Sequence, residues 1–253
     1  MKAVILSAGQ GRRLLPLTRQ TPKCALPVGG QPLVAWQVEQ LLNHGVDSVT
    51  VVVGFEAGQV ERILADRFPA DAVRTVFNPH HDEADNLVSC WSVRQEMTED
   101  FLLLNGDTLF EGEVLDRLLE TSPRPLTLVT DRKPAYDEDD MKVRTDGEAL
   151  VSVGKGIPAE EADGESIGLM AFREKAPAAF REVVEAAVRG DDAPRQWYLT
   201  AVDELARRGL VGVCPIEGCR WTEVDTRTDL EEAERLVGEE GLIPRPVAAL
   251  GSP

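Results

Sequence analysis

A loop near the amino terminus concentrates positive charge in an otherwise acidic protein. The 253-residue chain has a formal net charge of -17, yet its first 38 residues contain five basic side chains and no acidic one. The basic residues are Lys2, Arg12, Arg13, Arg19 and Lys23. Gly9 and Gly11 follow an apolar run and precede the arginines. Backbone N–H groups and cations both stabilise phosphate oxygens, so the loop indicates a site for an anion carrying several negative charges.

The elements that must position this loop form a strand, a helix and a second strand. Residues 2–6 and 48–53 are apolar and β-branched, which is typical of buried strands. Between them, residues 32–43 carry apolar side chains at helical spacing and are followed by Gly45. Further helices are predicted over 57–67 and 87–97, and further strands over 73–77 and 101–104. Strands that alternate with helices predict a mainly parallel, Rossmann-like sheet with helices on both faces.

The second half of the chain has a less regular pattern. Short strands are predicted at 126–129, 142–144 and 150–153, with polar turns between them, and helices at 176–189, 197–208 and 228–237. We expect a small antiparallel extension of the sheet here. Residues 1–240 are predicted to form one domain, and residues 241–253, rich in proline and glycine near their start, to form a tail.

Composition excludes several classes of function. The chain has 44 acidic against 27 basic residues, which argues against binding nucleic acid or anionic lipid. No apolar run approaches the roughly 20 residues of a membrane-spanning helix, so we expect no membrane insertion and a cytoplasmic location. The four cysteines form no CxxC pair and are predicted to be reduced thiols. The sequence is compatible with a homo-oligomer.

Two common phosphate-binding motifs do not fit the loop. A dinucleotide fingerprint needs a third glycine where Leu14 stands, and Glu56 lies 45 residues beyond Gly11, against about 20 for a ribose-binding acid. A P-loop needs four residues between its glycines, followed by Gly-Lys-Ser/Thr. Neither a nicotinamide enzyme nor a P-loop protein is therefore favoured.

The loop instead resembles the signature of nucleotidyltransferases of the nucleoside-diphosphate-sugar pyrophosphorylase type. That signature pairs two glycines with Arg-Leu, Pro-Leu-Thr and Pro-Lys at fixed spacing. The positions that fit it are Gly9, Gly11, Arg13, Leu14, Pro16, Leu17, Thr18, Pro22 and Lys23. Nine matches within fifteen residues make the resemblance specific, and a merely solvated basic loop is the weaker interpretation.

The resemblance extends to two aspartates far along the chain. Asp107, in Asn105-Gly106-Asp107, follows a predicted strand, and Asp225 lies in Val224-Asp225-Thr226. Alone, each is typical of a turn or a helix cap. The family pattern implies that together they bind Mg²⁺, which prefers carboxylate oxygens and substrate phosphates. The similarity spans residues 1–237 and implies a fold of the nucleotide-diphospho-sugar transferase type, with a nucleotide-binding half (1–122) and an acceptor-binding half (123–240).

The same resemblance assigns roles within the first half. Arg13 and Lys23 are expected to be catalytic, binding the triphosphate and stabilising charge on the α-phosphate and the leaving group. The residues expected to bind the nucleotide are Ser7, Ala8, Gly9, Gly11, Arg12, Asn86, Ser89 and Gly106. No general base is expected, because a phosphate or phosphonate nucleophile is already ionised at neutral pH.

One segment favours a particular subgroup of the superfamily. Sugar-nucleotide enzymes usually carry a glycine-rich turn where this chain has residues 85–91, Asp-Asn-Leu-Val-Ser-Cys-Trp. This segment looks more like cytidylyltransferases that act on phosphocholine, aminoethylphosphonate or inositol-1-phosphate, in which an asparagine opens the corresponding helix. Asn86 is interpreted as a helix N-cap, a nucleotide contact, or both.

Four residues of the second half are candidates for binding the acceptor. The segments around 139–143, 154–155 and 164–168 are similar to acceptor-side segments of those cytidylyltransferases. Lys142 is expected to pair with the acceptor phosphate, and Glu165 or the acids at 137–140 to face an ammonium group or hydroxyls. An acidic run is also typical of a solvated loop. Trp197 and Tyr198 offer aromatic faces for a quaternary ammonium, and core packing is the alternative for both.

Three functions follow from these patterns. The first is a Mg²⁺-dependent cytidylyltransferase that joins CTP to a small phosphorylated or phosphonylated alcohol and releases pyrophosphate. The second is a sugar-1-phosphate nucleotidylyltransferase that uses another triphosphate, namely UTP, dTTP or GTP. The third, from a different class, is a nucleotide-sensing protein that has kept the fold and lost catalysis.

Overall fold

A computed structural model describes residues 1–190 and 192–238, so the predicted tail at 241–253 lies outside the described residues. The strands β1 to β13 are Lys2–Ser7, Pro27–Val28, Gln31–Pro32, Ser48–Val53, Val73–Phe77, Phe101–Asn105, Thr108–Phe110, Leu126–Asp131, Lys142–Asp146, Ala149–Val153, Gly164–Phe172, Val211–Pro215 and Trp221–Glu223. The helices α1 to α7 are Leu33–Asn43, Ala57–Arg67, Asn86–Ser92, Gly112–Glu120, Ala176–Ala187, Leu199–Arg207 and Arg227–Gly238.

Nine of the strands form one mixed sheet in the order β5-β4-β1-β6-β11-β8-β12-β10-β9. The four strands from the first half, β5, β4, β1 and β6, are mutually parallel. Strand β11 is antiparallel to both β6 and β8, and it joins the two halves of the chain. The antiparallel extension that the sequence predicts is present as β9 and β10.

Apolar side chains pack against both faces of this sheet. Along β1, Ala3 and Ile5 belong to one hydrophobic cluster and Val4 to the other, because successive side chains of a strand point to opposite faces. Helices α1, α2 and α4 contribute to the first cluster, and α3, α5 and α6 to the second. The sheet is therefore covered on both sides, as the alternation of strands and helices predicts.

The first helix connects the sheet to the chain that follows the basic loop. Leu33, Val34, Val38 and Leu41 are fully buried on α1, which matches its apolar spacing. The indole N–H of Trp36 donates a hydrogen bond of 2.9 Å to the carbonyl oxygen of Val28 in β2. Helix α1 is thus fixed to the segment that carries Lys23 as well as to the sheet.

One predicted helix is shorter than expected. The sequence predicts a helix over 87–97, whereas α3 ends at Ser92 and only a 3-10 turn, Arg94–Glu96, continues it. Val93 separates the two with a non-helical backbone at φ -107°. Within residues 1–190 and 192–238, no helix has the length and apolar character needed to cross a membrane. All four cysteines are buried free thiols.

Candidate active site

A cleft of about 760 Å³ opens at the carboxyl ends of β1 and β6. In an open sheet containing parallel strands, this edge is where ligands bind. The cleft is lined by the loop after β1, by the turn after β6, and by residues of β11, β13 and the loops around them. The sequence motifs from both halves of the chain therefore meet in one cavity.

The basic loop takes a shape that requires glycine at one position. Gly11 has φ +77°, and a Cβ atom there would lie 2.7 Å from the Cβ of Lys23. Residues with a side chain rarely adopt this backbone conformation, and the distance between the two Cβ atoms is shorter than real Cβ contacts allow. The Thr18 hydroxyl donates to the Gly11 carbonyl oxygen over 2.8 Å, which holds the loop closed. Gly11 thus allows the loop to lie directly against Lys23.

Lys23 lies between the two aspartates that the sequence pairs with it. Its Nζ is 2.7 Å from Asp107 Oδ2 and also forms an ion pair with Asp225 Oδ1. Burial lowers the pKa of Lys23, but the charges and hydrogen bonds of Asp107 and Asp225 outweigh it and raise the pKa above its usual value. Lys23 is therefore a fixed cation at the centre of the cleft.

A third carboxylate that the sequence motifs do not identify lies beside these two. Burial raises the pKa of Glu223 to about 8, and the charges of Asp107 and Asp225 add to the effect. Asp107 Oδ1 is buried and has no hydrogen-bond partner among the described residues. Crowded carboxylates with an unpartnered oxygen have the chemistry of a divalent-cation site, so the predicted metal ligands fit Mg²⁺.

The two arginines of the loop occupy different environments. Arg13 lines the cleft, where its Nη1 donates to Asp225 Oδ2 over 3.1 Å and lies 3.7 Å from Asp139. Arg12 is exposed and is not among the residues that line the cleft. The structure therefore places Arg13 with the other predicted catalytic groups and leaves Arg12 outside the cavity.

The remaining residues predicted to bind the nucleotide line the cleft, and one of them contacts a different partner from those expected. The lining includes Ser7, Ala8, Gly9, Gly106, Asn86 and Ser89. Asn86 is the first residue of α3, so the N-cap position falls on Asp85. The Asn86 side-chain oxygen accepts a 2.9 Å hydrogen bond from the backbone N–H of Tyr198. The expected N-cap role of Asn86 is wrong, and its side chain instead ties α3 to the start of α6.

Lys142, predicted to pair with the acceptor phosphate, points elsewhere. It is 2% exposed, and its Nζ donates to the carbonyl oxygens of Asp137 at 2.7 Å and Asp140 at 3.3 Å. It is absent from the residues that line the cleft. The interpretation of Lys142 as a phosphate ligand is corrected, because its position on β9 directs its ammonium group into the acidic loop.

Two other lysines, Lys133 and Lys155, line the cleft. Lys133 Nζ lies 2.6 Å from Asp140 Oδ1 and 3.1 Å from Glu165 Oε2. Glu165 lies in the cleft as expected, and burial raises its pKa to about 7 even though Lys133 lowers it. Glu165 is therefore expected to titrate close to neutral pH, whereas an ordinary surface glutamate is ionised there.

The two predicted aromatic residues have unequal access to the cleft. Lys155 Nζ lies 4.0 Å from the centre of the Trp197 ring and 3.0 Å from Asp139 Oδ1. Tyr198 also borders the cavity, but it is fully buried and its hydroxyl donates to Asn105 Oδ1 over 2.9 Å. Trp197 thus presents a face already in contact with a cation, and Tyr198 fits the core-packing alternative.

Lys133 and Glu223 are cleft residues that motif matching missed. Lys133 and Lys155 follow strands β8 and β10, and Glu223 ends β13. A signal for Glu223 exists in the sequence, since it precedes Asp225 by two positions and shares its segment. Lys133 stands singly in a loop, whereas Lys155 belongs to the segment 154–155 that resembles the acceptor side, and only the antiparallel topology reveals that both meet the first-half residues.

This combination of sheet order, basic loop and paired aspartates defines a nucleotidyltransferase-type fold. Residues 3–199 match the model of the MobA-like NTP transferase domain. The chain belongs to this family, which confirms the resemblance seen in the signature loop.

Curated relatives match different lengths of the chain. A bifunctional IPC transferase and DIPP synthase of Aquifex aeolicus is 30% identical over 240 residues, covering 93% of this chain and 51% of that protein. A choline-phosphate cytidylyltransferase of Streptococcus pneumoniae is 33% identical over 112 residues, or 44% of this chain and 47% of that protein. The chain thus covers about half the length of these two relatives. A UTP–glucose-1-phosphate uridylyltransferase of Haloferax volcanii is 28% identical, covering 95% of this chain and 98% of its own.

Solved structures confirm the fold. A CTP:phosphocholine cytidylyltransferase from Streptococcus pneumoniae superposes with a TM-score of 0.75 at 22% identity, covering 93% of this chain and 98% of that one. An inositol-1-phosphate CTP transferase from T. maritima superposes with a TM-score of 0.76 at 21% identity, covering 95% and 97%. The predicted nucleotide-diphospho-sugar transferase type is therefore the fold observed.

Proposed function

We propose that this chain is a Mg²⁺-dependent cytidylyltransferase that transfers CMP from CTP to a small phosphorylated or phosphonylated alcohol. The observation that carries the proposal is the position of Lys23, whose ammonium group lies between Asp107 and Asp225 in the cleft. One buried cation beside paired carboxylates matches the two needs of a metal-bound triphosphate, which are a cation for phosphate oxygens and oxygen ligands for the ion.

The proposed reaction is an in-line displacement at the α-phosphorus of CTP. An oxygen of the acceptor phosphate or phosphonate forms a bond to this phosphorus, and the bond to the β-phosphate oxygen breaks. Pyrophosphate leaves with the electron pair of that bond, so no proton transfer to a base is needed. Lys23 and Arg13 stabilise the negative charge on the α-phosphate and the leaving group. The backbone at Gly9 and Gly11 lies against the nucleotide.

Asp107 and Asp225 are the residues proposed to hold Mg²⁺. The buried, unpartnered Oδ1 of Asp107 supports this assignment, as does the high pKa of Glu223 beside the pair. When bound, the ion neutralises phosphate charge and orients the triphosphate. Lys23, which neutralises both aspartates in the structure, is then available to the phosphate oxygens.

The choice of CTP rests on the region that begins α3. A choline-phosphate cytidylyltransferase is among the relatives, and residues 85–91 lack the glycine-rich turn typical of sugar-nucleotide enzymes. Asn86 and Ser89 line the cleft at this point. Ser89 is buried, and its hydroxyl oxygen accepts a 3.0 Å hydrogen bond from Asn78 Nδ2. The hydroxyl hydrogen is then available to another acceptor, such as one on a pyrimidine base.

Charged groups on the opposite wall support a small anionic acceptor with polar substituents. Lys133 and Lys155 supply cations for its phosphate or phosphonate, and Glu165 supplies an acceptor for hydroxyls or an ammonium group. Trp197 adds an aromatic face next to Lys155. These groups come from the second half of the chain, which we propose as the acceptor-binding half.

A sugar-1-phosphate nucleotidylyltransferase is the second candidate. The observation that favours it is the Haloferax volcanii uridylyltransferase, which aligns along nearly the full length of both chains. The phosphate-binding residues serve either reaction. The two candidates differ in the base that the α3 region accepts and in the acceptor that the opposite wall accepts.

A pyrophosphate-release assay distinguishes these candidates. CTP, UTP, dTTP and GTP are each tested with Mg²⁺ against phosphocholine, 2-aminoethylphosphonate, inositol-1-phosphate and glucose-1-phosphate. We expect CTP to give the highest kcat/KM with one of the first three acceptors. Preference for another triphosphate with glucose-1-phosphate would support the second candidate and reject the first.

The same assay tests whether the protein is a sensor without catalysis. Asp107→Ala is expected to lower turnover by about 100-fold or more while the protein stays folded, since a metal ligand is lost. A sensor would release no pyrophosphate in the parent with any pair, and its Asp107→Ala variant would differ only in nucleotide affinity. Circular dichroism on both proteins verifies the fold.

A further inference from the structure

We infer that Gln37 is a positioning residue for Asp107, holding the turn that presents this aspartate to the metal. The inference rests on the proposed function, since it gives Asp107 the role of a metal ligand. Gln37 lies on α1, is 1% exposed and does not line the cleft. It therefore acts on the reaction only through the turn that it contacts.

The Gln37 amide contacts both ends of the turn between β6 and β7. Its Nε2 donates to the carbonyl oxygen of Asn105 and to that of Thr108, each over 2.8 Å. Gly106 and Asp107 are the two residues between these carbonyls. One side-chain nitrogen thus fixes the separation of the residues that flank Asp107.

Other contacts fix the rest of the turn. The N–H of Gly106 donates to the Leu6 carbonyl oxygen over 2.9 Å, and the Asp107 carbonyl oxygen accepts from Val224 N–H over 2.9 Å. The Thr108 hydroxyl donates to the Ile167 carbonyl oxygen over 2.9 Å. Strands β1 and β11 and the residue after β13 therefore hold the turn, and α1 supplies a further contact.

Helix α1 also holds the segment that carries Lys23. The N–H of Leu33 donates to the Leu26 carbonyl oxygen over 3.0 Å, and Trp36 donates to Val28 as described above. Both acceptors lie within five residues of Lys23 in the chain. A single rigid helix is thus bonded to the Lys23 segment at its start and to the Asp107 turn one turn later, which sets the distance between the two groups.

The oxygen of the Gln37 amide takes no part in holding the turn. Its Oε1 is buried and lacks a hydrogen-bond partner among the described residues. An orphaned buried acceptor costs free energy that offsets what the two donated bonds contribute. An apolar side chain of similar size would avoid the orphaned acceptor, but it would also take the Gln37 donor away from both turn carbonyls, so the amide serves the turn through its nitrogen.

Metal affinity tests the inference directly. Binding of Mn²⁺ is measured by electron paramagnetic resonance at saturating CTP, in the parent and in Gln37→Met, which keeps the side-chain volume and removes the donor. We expect the affinity of Gln37→Met for Mn²⁺ to be weaker by about 10-fold or more, a usual loss for groups that orient metal ligands. The matched control is Gln40→Met, because Gln40 is also buried on α1 and donates to Phe110, beyond the turn.

The control separates a positioning role from general packing. Gln40→Met is expected to bind Mn²⁺ within about twofold of the parent. Equal affinities in the parent and Gln37→Met, or equal losses in both variants, would overturn the inference while leaving the proposed function in place. A parent that binds no Mn²⁺ with CTP would overturn both. If Gln37→Met does not fold, Gln37→Glu replaces it, and parent-like Mn²⁺ affinity in that variant would count against the inference.

Discussion

At the scale of single residues, the cleft balances one buried ammonium group against three carboxylates. Lys23 contacts Asp107 and Asp225, while Glu223 beside them has its pKa raised to about 8. A metal-bound triphosphate would bring a cation for the carboxylates and phosphate oxygens for Lys23. We propose that ligand binding therefore replaces the internal ion pairs with pairs to the substrate, leaving no buried charge unpaired.

Removing the Lys23 charge is the most severe single change that we predict. Lys23→Met should lower kcat by about 100-fold or more, because a preorganised charge that stabilises the transition state is typically worth this much. Steady-state kinetics with CTP and the preferred acceptor measure the effect. The matched control is Lys2→Met, which removes a positive charge at the start of β1. The Nζ of Lys2 lies 3.7 Å from Glu99 Oε2. Equal activity in both variants would exclude Lys23 from catalysis.

Glu165 makes stability depend on pH near neutrality. Burial raises its pKa to about 7, above the ordinary 4.5, so the folded state binds the proton more tightly than the unfolded state. Its contribution to stability is therefore present at low pH and is lost as the pH rises toward 7. Relative to the parent, Glu165→Gln should gain about 1–2 kcal/mol of unfolding free energy between pH 5 and pH 8, after allowance for solvent screening.

Urea unfolding of both proteins across this pH range measures the difference. A difference in unfolding free energy that stays constant from pH 5 to pH 8 would show that Glu165 titrates at an ordinary pKa.

Residue types at fixed spacing carried most of the site prediction. Arg13, Lys23, Asp107 and Asp225 meet in the cleft as the signature implies. The prediction that Lys142 lines the site is wrong, because a lysine near an acidic run does not reveal which way its strand faces. On β9 the Lys142 ammonium group donates to backbone carbonyls, and the lysines that line this part of the cleft, Lys133 and Lys155, lie in other loops.

At the scale of elements, the loop after β1 depends on one backbone conformation. Gly11→Ala combines an unfavourable φ of +77° with a Cβ atom 2.7 Å from that of Lys23. The expected results are a loss of about 1–2 kcal/mol of stability and a fall in kcat of about 10-fold or more through displacement of Lys23.

Gly30→Ala is the matched control for this change. Gly30 has a similar φ of +80°, but a Cβ atom there would meet open space. The control should lose comparable stability and keep the parent kcat. A parent-like kcat in Gly11→Ala, measured beside it, would show that the loop does not set the position of Lys23.

Strands were easier to predict than the boundaries of the helices. Residues 3–6 are apolar without interruption and residues 49–53 are all β-branched, which is typical of parallel strands covered on both faces. The apolar spacing of the helix predicted over 87–97 continues beyond the end of α3. This is because Val93 and Met97, on either side of the 3-10 turn that follows α3, are both buried. Apolar periodicity reports burial there and cannot distinguish the two kinds of turn.

At the scale of the whole molecule, the fold brings together residues more than 200 positions apart in the chain, such as Lys23 and Asp225. Strands β6 and β11 pair, which joins the strands of the first half to those of the second half. Residues from both halves therefore line one cleft. The sequence predicts the parallel half and an antiparallel extension, but local patterns do not encode the order of strands from distant segments. The division into a nucleotide-binding half (1–122) and an acceptor-binding half (123–240) stays a prediction.

The distribution of charge is also a property of the whole molecule. The net charge of -17 would repel a triphosphate from most of the surface. Arg13, Lys23, Lys133 and Lys155 all line the cleft and form a local exception. We propose that this contrast favours polyanions bound with a divalent cation over nucleic acids, which need a broad basic surface.

Phosphorus-31 NMR of one reaction mixture tests the central claim most directly. CTP, Mg²⁺, the parent protein and the acceptor preferred in the release assay are followed over time. We predict that a diphosphate joining CMP to the acceptor and free pyrophosphate appear in equal amounts, that EDTA stops both, and that Asp107→Ala forms them about 100-fold more slowly. Unchanged CTP in the parent with every acceptor, or product formation that continues in EDTA, would contradict the account.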